Sequence, residues 1–446
     1  MDVRQKEASL MNGSAIMQWL AGSLPQKTGR FSLTATRHVR HAITLCHALL
    51  SERGEASGAN LAREVVEAYV SLNEEEVEAF FDSLIHLFSP DPDIVTRIAE
   101  TYRAEPSQSN LLALQHAVEP PRQELFRRIN MAPNGTAILV EMRRRVLRGL
   151  KQHPQWQGID GDLEHLLRSW FNRGFLRLQR IDWNTSALIL EKLTKYEAVH
   201  EIQGWRDLRR RLDADRRCYA YFHPALPDEP VIFIEIALAR GLSAHVQPLL
   251  DPDSPVFDPG RADHAIFYSI TNCQEGLRGI SFGNFLIKQV AQDLSLEFPK
   301  LKRFATLSPA PGFRRWLEAQ ASDPANGRIS ELLAELAMPN WHRNQEVADK
   351  LREPLTRYCA YYFLHAKSGQ EPLDPVARFH LSNGARLERI NWLGDTSETG
   401  MARSAGFMVN YVYKLAKVED NHEAYVKEGK IAVSSHVEAL AKEKPG

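Results

Sequence analysis

A chain of 446 residues, 43% hydrophobic and 25% charged, has the make-up of a globular protein of two or three domains, each large enough to bury a core. Its 55 Lys and Arg nearly cancel its 56 Asp and Glu, so no global field exists for nucleic acid or an anionic membrane, and an anionic ligand has to be met by a local patch. No apolar run approaches the ~20 residues that span a bilayer, and neither end carries a recognisable address, which predicts a cytoplasmic protein with no nucleic-acid or membrane partner.

From about residue 32 to 170 the apolar residues recur at helical spacing. The first such stretch, 37–54, ends at Gly54, a natural helix stop. Residues 61–72, 74–88, 92–105, 110–120, 136–152 and 162–176 repeat the pattern, with Pro, Ser, Asp and Gly at the joints. Short joints between amphipathic segments predict a helical bundle, and the segments lack the common period of a solenoid. Strands enter beyond residue 184: 230–238 and 264–273 are rich in Ile, Phe and Val, and 302–309 is a shorter candidate. A helical stretch, 283–298, sits between the last two, which makes a strand–loop–helix–strand unit. The fold class is therefore α+β and multidomain: an all-α bundle over residues 1–180, then an α/β domain over 181–446, joined near 171–190.

Cys46, Cys218, Cys273 and Cys359 show no C-x-x-C spacing, so they are expected to be reduced and buried. The histidines show no metal-ligand cluster, and no catalytic metal is expected.

Two places carry chemistry. The first is the loop before the 283–298 helix, where Arg278, Gly279, Ile280, Ser281, Phe282, Gly283 and Asn284 bring small residues and a guanidinium to a helix start. Exposed backbone N–H groups there form an anion cradle of the size of a pyrophosphate, and Arg278 adds a forked contact. The loop lacks both the Walker Gly-Lys-Ser/Thr ending and G-x-G-x-x-G spacing. It resembles the R/Q-x-x-G-x-G/A loop of GNAT-type acyltransferases, which holds the pyrophosphate of coenzyme A. In that register Arg278 is first, Ser281 replaces the first glycine, and Gly283 is last.

The second is a pair of segments 72 residues apart. Ser308, in T-L-S-P-A-P-G, closes a strand, and His380, in ARFHLSNG, is read as lying on a strand that ends at an Asn383-Gly384 turn. Asn391, Trp392 and Asp395 are then the turn formers that follow. Brought together, the two side chains supply a hydroxyl relay and a proton donor. Ser308 has no G-x-S-x-G elbow, and Pro309 has no N–H to serve as an oxyanion donor, so an acyl-enzyme on Ser308 is disfavoured.

The blocks QEGLRGISFGNFLIKQV, LSPAPGFRRWL and FHLSNGARLERINWLGDTSETGMARSAGFMVNYVYKL resemble successive signatures of the malonyl-CoA decarboxylase family. Residues 196–238 are similar to the entry of that family's catalytic domain, and the resemblance runs from about 180 to 415. It implies a GNAT-like catalytic domain with a mixed central sheet, behind an N-terminal helical domain that oligomerises. It also implies decarboxylation of malonyl-CoA to acetyl-CoA, with no cofactor beyond the coenzyme A of the substrate, and a homodimer or homotetramer.

Ser308 and His380 match the family's catalytic pair, and Arg278 to Asn284 match its malonyl-CoA-binding segment. Lys192 aligns with a lysine important in animal members, and Tyr411 and Tyr413 are supporting candidates. Ser281 stands where some animal members carry an acidic residue. Two other functions use the same cradle: a GNAT-type acyl-CoA-dependent acyltransferase, and a non-catalytic acyl-CoA sensor.

Overall fold

The computed structural model describes residues 33–52, 54–280, 282, 286–322 and 327–442, which form two compact units. The first comprises the described residues up to Trp170 together with Glu275–Ile280; the second comprises Phe171–Gln274 and the described residues beyond Ile280. No helix among the described residues is long and apolar enough to cross a membrane.

The first unit is helical: α1 (Leu33–Ser51), α2 (Glu55–Val70), α3 (Glu74–Leu87), α4 (Pro92–Ala104), α5 (Gln108–Val118), α6 (Pro121–Ile129), α7 (Gly135–Gly149) and α8 (Gln157–Trp170). Helix starts follow local chemistry. Asn73 and Glu76 form a reciprocal capping box on α3, and Asp91 caps α4 ahead of Pro92; such caps contribute ~1 kcal/mol each. The core is apolar and closed, with Ile43, Val65, Phe80, Phe81, Leu84, Phe126, Ile129, Leu139, Leu163 and Leu167 all nearly or fully buried. Two buried arginines stiffen it: Arg122 pairs with Asp162, and Arg143 pairs with Asp160 at 2.8 Å.

Arg143 also donates from one Nη1 to the carbonyls of Gly276 and Arg278, each at 2.9 Å, which binds the 275–280 loop into the helical unit. A Cβ on Gly276 would lie 2.0 Å from the Val140 carbonyl oxygen, so only glycine lets the loop run this close to α7.

The second unit is built on an eight-stranded sheet. Its strands are β1 (Arg177–Ile181), β2 (Arg216–Phe222), β3 (Pro230–Ala239), β4 (His264–Asn272), β5 (Arg303–Thr306), β6 (Ser308–Pro309), β9 (Arg386–Asn391) and β10 (Met408–Tyr413). The short pair β7 (Lys367–Ser368) and β8 (Glu371–Pro372) stands apart. The order is β1-β2-β3-β4-β5-β10-β6, with β9 on β10, and every pairing is antiparallel except β4 with β5. The sheet is thus mixed, as expected, and the expected strands are β3, β4 and the broken pair β5/β6.

Helices flank it: α9 (Ala187–Tyr196), α10 (Trp205–Arg211), α11 (Gln247–Leu250), α12 (Leu286–Glu297), α13 (Phe313–Gln320), α14 (Gly327–Leu336), α15 (Gln345–His365), α16 (Pro375–Ser382), α17 (Glu398–Ser404), α18 (Val418–Glu428) and α19 (Ser435–Leu440). The parallel β4–β5 pair needs a crossover, and α12 supplies it. All four cysteines are free and buried, as expected.

The expectation of a strand at His380 is corrected. His380 lies in α16, which Asp374 caps through the N–H groups of Val376 and Ala377, with Pro375 in the first turn. Asn383-Gly384 is accordingly the end of a helix and no hairpin. Gly384 takes φ +79°, and a Cβ there would meet the Val418 carbonyl at 2.0 Å. Asn391 is the last residue of β9, a strand that begins only after this turn, and Trp392 and Asp395 follow it.

Candidate active site

Strand β10 organises the site. Its Val412 pairs with Ala305 of β5 and its Val409 with Ser308 of β6, so the break at Leu307 falls opposite Asn410 and Tyr411. Leu307 turns its N–H away to the Phe267 carbonyl at 2.9 Å. Side chains repair the interrupted ladder: Asn410 Nδ2 donates to the Thr306 carbonyl at 2.7 Å, and the Tyr411 N–H donates to Thr306 Oγ1 at 3.2 Å. A break of this kind re-aims the residue that follows it. Here that residue is Ser308.

Ser308 Oγ lies 3.0 Å from His380 Nε2, so the two residues singled out in the sequence meet directly. Both are nearly enclosed, Ser308 at 6% and His380 at 3% exposure. The Ser308 hydroxyl donates to Thr306 Oγ1 at 2.9 Å, so the proton between Ser308 and His380 belongs to Nε2. On the other side of the ring, Nδ1 lies 2.8 Å from the Tyr413 hydroxyl. Burial holds the Tyr413 phenol well above its ordinary range, so it is neutral and donates to Nδ1. The array reads Tyr413 O–H to Nδ1, Nε2–H to Ser308, Ser308 O–H to Thr306, with one tautomer satisfying every contact.

Tyr411 stacks on the imidazole at 4.6 Å between ring centres, and Phe379 stands edge-on at 5.1 Å. This apolar casing strips the ring of water and pushes its pKa down to about 3. At neutral pH His380 is an uncharged donor, poised through Nε2–H.

A stability prediction follows. Unfolded, the ring titrates near its ordinary 6.5; folded, it stays neutral to about 3. Between these values the unfolded chain binds one more proton than the folded one, so stability is lost as pH falls through that window. The slope from this group is about 1.4 kcal/mol per pH unit. Denaturant titrations from pH 7 to 4 should show His380→Asn with a pH slope shallower by about one proton than the parent, and identical slopes would contradict the assignment.

The other expected residues are distributed as follows. Tyr411 and Tyr413, two apart on β10, both touch His380. Lys192, on α9, donates to the Asp228 carbonyl at 3.1 Å and pairs with Glu229 at 2.6 Å; neither contact joins it to the Ser308–His380 pair. Arg278, Gly279 and Ile280 lie in the helical unit's loop, where Gly279 takes φ +81°. The Arg278 side chain is exposed and makes no hydrogen bond or ion pair among the described residues, so its donors are available. Phe282 is buried; Ser281, Gly283 and Asn284 lie outside the described residues.

Thr306 was missed by sequence reasoning, as was Asp374. The alternation of a strand puts Thr306 on the same face as Ser308, and Asp374-Pro375 is a helix-start signal. No group of three or more His, Cys, Asp or Glu among the described residues has a metal-binding arrangement.

Comparison with known proteins agrees with this architecture. The family model described as the malonyl-CoA decarboxylase C-terminal domain matches residues 174–445, and that of the N-terminal domain matches residues 88–171. Mitochondrial malonyl-CoA decarboxylase of the goose Anser anser anser is 36% identical over 373 residues, 76% of this chain and 74% of its own length. The rat enzyme is 34% identical over 355 residues, 73% of this chain and 72% of its own.

Among solved structures, malonyl-CoA decarboxylase from Rhodopseudomonas palustris superposes with a TM-score of 0.87 at 49% identity, covering 90% of this chain and 99% of that one. The Agrobacterium vitis protein gives 0.84 at 48%, covering 91% and 100%. The class these matches define is that of carboxy-lyases built from a helical region followed by a mixed-sheet domain. The chain belongs to the malonyl-CoA decarboxylase family.

Proposed function

We propose that this enzyme converts malonyl-CoA to acetyl-CoA and carbon dioxide through an enolate, with Ser308 and His380 as the reacting pair. The observation that carries the reading is the 3.0 Å Ser308–His380 contact, in a chain whose relatives bear that activity in their names.

Loss of carbon dioxide from the malonyl group drives the electrons of the breaking C–C bond into the thioester, and negative charge grows on its oxygen. His380 Nε2–H donates to that oxygen; a fixed donor in a dry pocket stabilises the charge without reorganising. A thioester enolate is strongly basic, so the α-carbon takes up one proton from the neutral hydroxyl and imidazole, solvent restores that proton to the pair, and no imidazolium is required. Ser308 contacts the departing carboxylate through a neutral hydroxyl and relays the proton. A salt bridge there would hold the carboxylate back. Tyr413 keeps Nδ1 occupied as an acceptor, so Nε2 remains the donor. The Arg278 to Asn284 loop takes the pyrophosphate of coenzyme A, with the free guanidinium of Arg278 as its charged contact.

The same reading makes the enzyme cytoplasmic, gives it a GNAT-like catalytic domain over 181–446, and assigns assembly into a homodimer or homotetramer to residues 1–180. No cofactor other than the coenzyme A of substrate and product is required.

The test is incubation of the pure protein with malonyl-CoA and no acceptor. Equal release of acetyl-CoA and carbon dioxide is expected. Turnover only when an amine acceptor is added would make the protein an acyltransferase, and saturable binding without turnover would make it a sensor.

A further inference from the structure

Arg143, on α7, is only 2% exposed, so its guanidinium lies inside the helical unit. Its Nε donates to Asp160 Oδ1 at 2.8 Å, and its Nη2 lies 3.7 Å from Glu164 Oε2, so the charge is compensated there. Its Nη1 serves another purpose, donating to the carbonyls of Gly276 and Arg278, each at 2.9 Å. Arg278 is the first residue of the loop read above as the cradle for a pyrophosphate.

A planar trans peptide points its C=O and its N–H in opposite directions. With the Arg278 carbonyl held against Arg143, the Gly279 N–H in the same plane faces away from α7. That N–H has no hydrogen-bond partner among the described residues, and Gly279 is exposed. No heavy atom stands within 4 Å of where a Gly279 Cβ would be, which leaves open space beside the N–H. The rest of the segment is pinned. Leu277 and Ile280 are buried, Gly276 lies against the Val140 carbonyl, and Arg148 of α7 pairs with Glu275 at 2.6 Å.

We propose that Arg143 is a positioning residue for coenzyme A: by holding the Gly276 and Arg278 carbonyls it aims the Gly279 N–H, and seats the backbone that carries the Arg278 guanidinium, for the pyrophosphate. This rests on the reading of Arg278 to Asn284 as the coenzyme A loop. Arg143 is buried and its nitrogens are turned to Asp160, Glu164 and the two carbonyls, so it acts through the loop. The helical unit then sets substrate affinity, a role apart from the assembly proposed for it.

Arg143→Lys keeps a buried charge beside Asp160, but an ammonium is a point donor without the fork that serves a carboxylate and two carbonyls together. The expected result is a KM for malonyl-CoA and a Kd for coenzyme A higher by about 10-fold, with kcat per folded molecule within about twofold. Malonyl-pantetheine, which lacks the pyrophosphate, is the control. Its kcat/KM should agree within about twofold between parent and variant. A purely structural arginine would lower the melting temperature and leave both substrates unaffected, or lower kcat/KM equally for both. Either result would overturn the proposal.

Should Arg143→Lys fail to fold, Gly276→Ala decides. Its methyl group would lie 2.0 Å from the Val140 carbonyl oxygen, so the loop must leave α7 while Arg143 and Asp160 keep their own side chains. The same split is expected, with KM for malonyl-CoA raised about 10-fold and malonyl-pantetheine unaffected; a KM within twofold of the parent overturns the proposal. Arg278→Ala is measured alongside. If it leaves KM for malonyl-CoA unchanged, the loop reading fails and the positioning role with it. If it raises KM while Arg143→Lys does not, the positioning role alone fails.

Discussion

With His380 as the proposed oxyanion donor, replacing it by Asn should lower kcat for malonyl-CoA decarboxylation by about 10²- to 10³-fold, the range typical for removal of one preorganised donor at a developing oxyanion. The size of the effect comes from the casing. Tyr411 below the ring, Phe379 at its edge and Tyr413 on Nδ1 hold the imidazole in one orientation, so no reorganisation is needed when charge appears. Asparagine is shorter and cannot reach Ser308 and Tyr413 at once. The Tyr413 hydroxyl, nearly fully buried, then loses its acceptor, at a cost of about 1–3 kcal/mol in stability.

Two readouts separate these consequences: steady-state kinetics normalised to folded protein, and thermal melting. KM should move little, because an interaction made only in the transition state lowers kcat and kcat/KM equally. Activity within a few-fold of the parent would remove His380 from the reaction. The low pKa adds a second signature: the acid limb of the kcat profile should show no inflection near 6.5 from this ring, since it stays neutral to about 3.

Much of this was legible in the sequence, and the gaps have physical causes. The helical segments of the first unit announced themselves by period and by the Pro, Ser, Asp and Gly at their joints, and the structure adds the caps, Asn73 with Glu76 and Asp91 ahead of Pro92. Strands β3 and β4 were legible because they are buried along nearly their whole length and each carries a run rich in Ile and Phe. The helix α16 was not, because eight residues hold barely two turns of pattern, and Asn383-Gly384 suits a hairpin as well as a helix end. Asp374-Pro375 was the stronger signal.

Ser308 and His380 could be nominated by residue type and by family pattern, but their approach could not be measured from sequence. It depends on β10 meeting β5 and β6 across a break in the strand, a tertiary event. Thr306 escaped for the same reason: a threonine two residues before a serine is ordinary, and only the broken ladder gives its hydroxyl two partners. The grouping of residues 275–280 with the helical unit likewise depends on Gly276 against α7, which no local pattern encodes.

Ser308→Ala should lower kcat about 10²-fold, by loss of a relay hydroxyl, and should do so without any covalent intermediate having existed in the parent. Serine beside histidine suggests a nucleophile and its base, but the local backbone opposes this. Nucleophilic serines on a strand-to-helix elbow use the N–H of the next residue to hold the tetrahedral oxyanion. The next residue here is Pro309, which has no N–H and is paired with Met408 in β6. The proton arrangement also opposes it: Nε2 carries the hydrogen toward Ser308, whereas a general base must present a lone pair. Both arguments favour the proposed role of the hydroxyl, which is to hold the carboxylate weakly and pass a proton.

Rapid-quench mass spectrometry of the parent during turnover should find no malonyl or acetyl adduct on Ser308, and product should form without a burst. Ser308→Cys sharpens the comparison. A thiol is a far better nucleophile than a hydroxyl, but it is a weak hydrogen-bond donor and too bulky for a space that Thr306 and His380 already close. A relay role predicts that the cysteine variant is about as impaired as the alanine one. An active, acylated cysteine variant would return Ser308 to the role of nucleophile and move the oxyanion donors elsewhere.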